Sequence, residues 1–172
     1  MSDTLIHAHY LSPHFTMEEL SVSASHPELV QQLYGAPERL RDNAAKLAHD
    51  VLEPVRALCD CPLIVHSGWR PVALNRAVGG SPTSQHLVAQ AADVTPAEHS
   101  AEWLFLALLR LRPLYPPERI GQVIWYPKQN FCHLALPSFH YPSFSAFVSE
   151  RPKEYVPVHT AADAWAVVRG AA

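Results

Sequence analysis

Apolar residues recur at helical spacing after Pro37, where Leu40, Leu47, Val51, Val55 and Leu58 fall on one face. The spacing predicts a helix over 37–59, with Pro37 suited to its first turn and Pro54 expected to kink its last turns. Upstream, "FTMEEL" carries a capping box, Thr16 with Glu19 three positions later, and is expected to open a short helix. The period then shortens. "CPLIVHSGW" (61–69) is β-branched and bounded by proline and glycine, which predicts a strand. "PVALNRAV" (71–78) reads as a short helix stopped by Gly79-Gly80. "AEHSAEWLFLALLRLR" (97–112) is apolar enough to pack on a sheet, and "QVIWY" and "FCHLAL" read as two strands joined by the turn "PKQN".

The order of these elements predicts a small α+β domain, with an antiparallel sheet packed against helices. Residues 1–137 are expected to form that domain. Residues 138–172, rich in aromatics and prolines, are read as a C-terminal extension packed on it and ending in a helix capped by Thr160.

Composition narrows the function classes. At 172 residues, with 48% hydrophobic and 17% charged, the chain has the make-up of one globular domain. A formal net charge of −3 offers no basic face for nucleic acid. Nothing in the sequence is long and apolar enough for membrane insertion. The start, "MSDTLIHAHYLSPHF", lacks a basic segment followed by an apolar run, so synthesis in the cytoplasm without a signal peptide is expected. Cys59, Cys61 and Cys132 are an odd set without metal-site spacing and are expected to stay reduced and structural. A monomer is expected.

Candidate chemistry sits in "SQHLVAQAADV" (84–94), where His86 precedes Asp93 by seven positions. Seven residues of strand span about 23 Å, and seven of helix about 10 Å. If the two side chains act together, the chain must turn between them. His133, in the strand "FCHLAL", is a third candidate. Two histidines and an aspartate are a zinc ligand set that leaves one position open for water, which suits hydrolysis. Spacing alone leaves that reading open beside three unrelated hydrogen-bonded side chains.

The blocks "SGWRPVALNRAVGGSPTSQHLVAQAAD", "FTMEEL", "VLEPVR", "QVIW" and "FCHLAL" occur in order from about Pro13 to Leu136. Together they resemble the zinc D-alanyl-D-alanine carboxypeptidases, a family that includes phage L-alanyl-D-glutamate endolysins. The resemblance implies a hedgehog/DD-peptidase-like fold, a zinc ion held by His86, Asp93 and His133, and a peptidase acting on peptidoglycan stem peptides. It also implies a site of action at the cell wall and a phage or prophage origin. By the same resemblance Arg70 holds the substrate near the metal. Ser84 and Gln85 are substrate-binding candidates, while Asn75 is read as a backbone cap.

The pattern breaks in two places. The family supplies an acidic residue three positions before the second histidine, or just after the preceding strand. Here those positions are Asn130 and Tyr126, and no Asp or Glu lies between Gly121 and Ser149. Asn130 cannot accept a proton from water. His140 is the stand-in catalytic candidate, beside Lys128, His66 and the distant carboxylate Glu150. A catalytically impaired, metal-binding wall-recognition or phage structural module is the alternative. The family also has glycine where Ala89 stands, and alanine resists a positive φ, so a different local turn is expected there.

Overall fold

The computed structural model describes residues 8–112 and 119–170. The long apolar run forms α1 (Glu38–Leu47) and α2 (Glu53–Cys59), joined without a break by a π-helical stretch, Ala48–Leu52. Pro54 therefore does not end the helix. Its missing N–H and its ring clash with the preceding turn are taken up where the helix widens just before it. Asp60, at φ 51°, closes the C-terminus in a left-handed turn. Leu47, Val51 and Val55 are fully buried in one core with Val94 and Leu134 of the sheet.

"FTMEEL" departs from expectation. The capping box forms, since Thr16 N donates to Glu19 Oε2 at 2.9 Å and Glu19 N to Thr16 Oγ1 at 3.2 Å. Only one turn follows it, because the Leu20 carbonyl accepts from Trp69 N at 2.8 Å instead of from a continuing helix.

Among the described residues six strands form one sheet in the order β1-β2-β4-β3-β5-β6: β1 (Leu63–Ser67), β2 (Ala91–Pro96), β3 (Gln122–Tyr126), β4 (Phe131–Ala135), β5 (Ser145–Val148) and β6 (Val156–Pro157). The α+β class holds, but the sheet is mixed: β3 pairs with β5 in parallel. A parallel neighbour needs a crossover. The chain makes it through 136–144, passing so close to Gly121 that a Cβ there would lie 2.5 Å from Pro137 Cα. The strand β5 comes from the region read as an extension, where no strand was expected.

Side chains alternate across the strands. One face carries Val94, Cys132, Leu134, Val123, Trp125 and Val148, all buried. Onto that face pack α4 (Ala101–Leu111), whose Phe105 lies 5.7 Å from the Trp125 ring, and α5 (Ala161–Gly170), whose Trp165 meets Trp125 edge-on at 6.5 Å. Both helices are capped as their sequences ask: Ser100 Oγ accepts from Trp103 N, and Thr160 Oγ1 accepts from Asp163 N. The short α3 (Val72–Ala77) leads to Gly79 at φ 70°. The opposite face of the sheet carries the polar row.

Candidate metal centre

Register sets that row. Ser67 pairs with Asp93, Asp93 with His133, and His133 with Ile124, so four strands present these positions on one face. His86 enters from outside the sheet, on a 3-10 turn over Gln85–Val88. Its return is made by Ala89, which adopts the left-handed conformation at φ 56° although it is not glycine. Alanine here takes the positive φ that it was expected to resist. The strain is borne by the closed turn, because Ala89 N bonds back to the His86 carbonyl at 3.2 Å. Thus the chain doubles back between His86 and Asp93, and the two side chains meet.

The three side chains converge. His86 Nε2 lies 3.2 Å from Asp93 Oδ1 and 3.1 Å from His133 Nδ1, and His133 Nδ1 lies 2.9 Å from Asp93 Oδ1. All three residues are buried, and these atoms fall within the reach of a single metal ion. Ligands of a tetrahedral zinc with bonds of 2.0–2.1 Å sit about 3.3 Å apart, close to these separations.

Donor chemistry fits as well. His86 Nδ1 lies 2.6 Å from the Gly68 carbonyl, which can only accept, so Nδ1 carries the proton and Nε2 presents its lone pair. Burial, with the Arg70 charge in support, pulls the His86 pKa down against the pull of Asp93, which keeps the ring neutral. Burial pushes the Asp93 pKa up, but His86, His133 and Arg70 outweigh it and hold the carboxyl well below the usual carboxylate range. A neutral imidazole at His86 and an ionised carboxylate at Asp93 are protonation states that suit a cation.

Arg70 is tied to this centre. Its Nε donates to Ser67 Oγ at 2.8 Å and its Nη2 donates to Asp93 Oδ2. The guanidinium orients the ligand carboxylate, and in this structure that is where its fork is directed. Ser67 and Gly68, which hold Arg70 and His86, were not singled out in the sequence. Their signal was their place in "SGWR", immediately before the arginine. Gly68 is confined by the Leu20 backbone, whose oxygen would lie 2.4 Å from a Cβ.

Other candidates lie around the cleft. Ser84 Oγ caps the turn by accepting from His86 N at 3.3 Å, and Gln85 Nε2 donates to the Leu136 carbonyl at 2.8 Å. Asn75 Nδ2 holds the Ser81 carbonyl at 2.9 Å, as its cap reading implied. His140 lines the cleft but is exposed, its ring against Phe139, and it makes no hydrogen bond to the three ligand side chains among the described residues. His66 is hydrogen-bonded to Thr95 Oγ1 at 2.9 Å. Asn130 sits at φ 54° in the β3–β4 turn and its Oδ1 accepts from Ala101 N, a structural assignment. Tyr126 faces the cleft, and burial, with Tyr155 beside it, pushes its pKa further up, so it stays a neutral phenol. Glu150 does return to the cleft, with Lys128 Nζ 3.6 Å from its carboxylate. The cysteines are free and buried; Cys132 Sγ donates to the Ala101 carbonyl at 3.2 Å, and burial pushes the Cys59 pKa up to about 12.

A family model described as Peptidase M15 matches residues 13–135, which include all three ligand candidates and Arg70. No curated protein matches the chain.

Proposed function

The chain belongs to the peptidase M15 family, and from that premise we propose that it is a zinc-dependent peptidase hydrolysing peptidoglycan stem peptides. The observation that carries the reading is the convergence of His86 Nε2, Asp93 Oδ1 and His133 Nδ1 on one point in a buried pocket of a cleft. A zinc ion bound there supplies polarisation of the peptide carbonyl and a lowered pKa for water.

The chain's own residues do the rest. Gly68 fixes the His86 tautomer, and Arg70 fixes the Asp93 carboxylate while its remaining N–H groups are available to a substrate oxygen. Glu150 is assigned as acceptor of the proton from the attacking water. Among the described residues it and Asp93 are the carboxylates that line the cleft, and Asp93 is committed to the proposed ligand set. The protein is taken to act on the wall as a monomer.

A second reading, a metal-keeping module without turnover, draws on the two family acid positions being filled by Asn130 and Tyr126. One experiment separates them. Zinc-loaded protein is incubated with wall fragments and with D-Ala-terminated peptides, and products are read by mass spectrometry. Cleavage that falls by roughly 100- to 10,000-fold in Glu150→Gln, with metal content retained, is the expected result. A parent that binds zinc and cleaves neither material leaves the second reading standing.

A further inference from the structure

Beyond the family match the chain returns to the cleft. After β5, the stretch Ser149–Lys153 and then Tyr155 line the same cleft as His86, Asp93 and His133. Its path is fixed by hydrogen bonds: Ser149 N donates to the Trp125 carbonyl at 2.9 Å, and Ser149 Oγ donates to the Arg151 carbonyl at 3.1 Å. Glu154 N donates to the same carbonyl at 3.1 Å and closes a turn around Pro152 and Lys153.

Proline at the second position and a positive φ at the third are the marks of a type II turn, whose third position favours glycine. Here that position is Lys153, at φ 65°. A left-handed L-residue costs stability, so the turn itself disfavours a lysine.

Charge balance points the same way. Arg70 is directed at Asp93, and Glu150 is paired with Lys128. Lys153 has no ion-pair partner among the described residues, and Arg151 reaches Glu154 at 3.7 Å with both side chains more than half exposed. This wall therefore carries one unbalanced positive charge, at Lys153, in a chain whose net charge is −3.

We propose that Arg151 and Lys153, presented by the Arg151–Glu154 turn, form a carboxylate-binding subsite that selects peptides bearing a free carboxylate away from the bond to be cut. The guanidinium offers a planar fork and the ammonium a point charge, a combination that discriminates a carboxylate from its amide. The substrate class rests on the peptidase reading above; the subsite itself does not require turnover. Both groups are exposed, so the preference weakens as salt rises.

The test titrates the zinc-loaded full chain with a D-Ala-D-Ala-terminated stem pentapeptide whose carboxyls are free, and with the same peptide amidated. The acid is expected to bind about tenfold tighter at low salt, on the scale of one charge-assisted hydrogen bond. Arg151→Ala and Lys153→Gly each weaken the acid severalfold and leave the amide unchanged. Lys153→Gly also melts no lower than the parent, an outcome that a structural role for the lysine does not give. Equal binding of acid and amide, no binding of either, or a preference that survives both substitutions overturns the subsite. Turnover of the same peptide is scored separately. A preference without cleavage sinks the peptidase reading and keeps the subsite, and cleavage without a preference does the reverse.

Discussion

The metal centre and the wall that faces it with Arg151 and Lys153 are held in place by different means. At the centre, His86, Asp93 and His133 are buried, and each donor is fixed by a partner that is itself confined: Gly68, Arg70 or a neighbouring strand. At the wall, the charged groups stand on an exposed turn anchored by backbone bonds to β3 and by an exposed ion pair. Buried polar groups in low dielectric interact strongly and cannot rearrange cheaply, whereas exposed ones are screened and contribute little to stability. The centre is thus suited to hold a cation, and the wall to vary with the ligand.

That contrast can be broken most severely at Asp93. Asp93→Ala removes one of the three candidate ligands and leaves the Arg70 charge, 15% exposed, without its partner. Zinc is expected to be lost, as read by metal analysis, and the metal-free protein to lose about 3 kcal/mol of stability by chemical denaturation. Saturating zinc raises the melting temperature of the parent and not of this variant, because only the parent binds it in the folded state.

Val148→Ala tests whether the wall depends on the shared core. Val148 is fully buried on the helix-side face, and its truncation is expected to cost about 2 kcal/mol. If zinc affinity stays at the parent value while carboxylate preference weakens, centre and wall are separable. A parallel loss of zinc affinity would show that they are one unit.

Ser67→Ala acts more gently at the centre, removing the hydroxyl that accepts from Arg70 Nε. About 1.5 kcal/mol of stability and roughly tenfold in zinc affinity are the expected losses. Competition with a chelator measures the second. The smallest effect is at Ala89. Ala89→Gly relieves an alanine at φ 56°, and the left-handed penalty of about 1–2 kcal/mol exceeds the added chain entropy of about 0.5–1 kcal/mol. Losing the buried Ala89 methyl takes back about 0.8 kcal/mol, so stability is expected to stay within about 0.5 kcal/mol of the parent, with zinc affinity unchanged.

Several elements were legible because they rest on local chemistry. The 37–59 helix, the strands around His66 and His133, the Thr160 cap and the stop at Gly79 follow from period, capping and backbone freedom, which a few neighbouring residues decide. His86, Asp93 and His133 were legible as candidate residue types, and the structure brings them together. Other features were misread for the opposite reason. "FTMEEL" has the right cap and stops after a turn because Trp69, some fifty residues on, takes the Leu20 carbonyl. The extension gives a strand because 136–144 can cross over Gly121 and reach the free edge of β3.

The residue order alone was enough for the α+β class, for His86, Asp93 and His133 as a candidate donor set, and for the lack of any Asp or Glu between Gly121 and Ser149. Folding in space was needed to show that Ala89 bends as a glycine would, that Arg70 grips Asp93, and that Glu150, Arg151 and Lys153 return to the cleft. The physical reason is range. Periodicity and capping are settled by neighbours a few residues apart, whereas register and close approach are settled by strands whose positions along the chain say nothing of their distance in space.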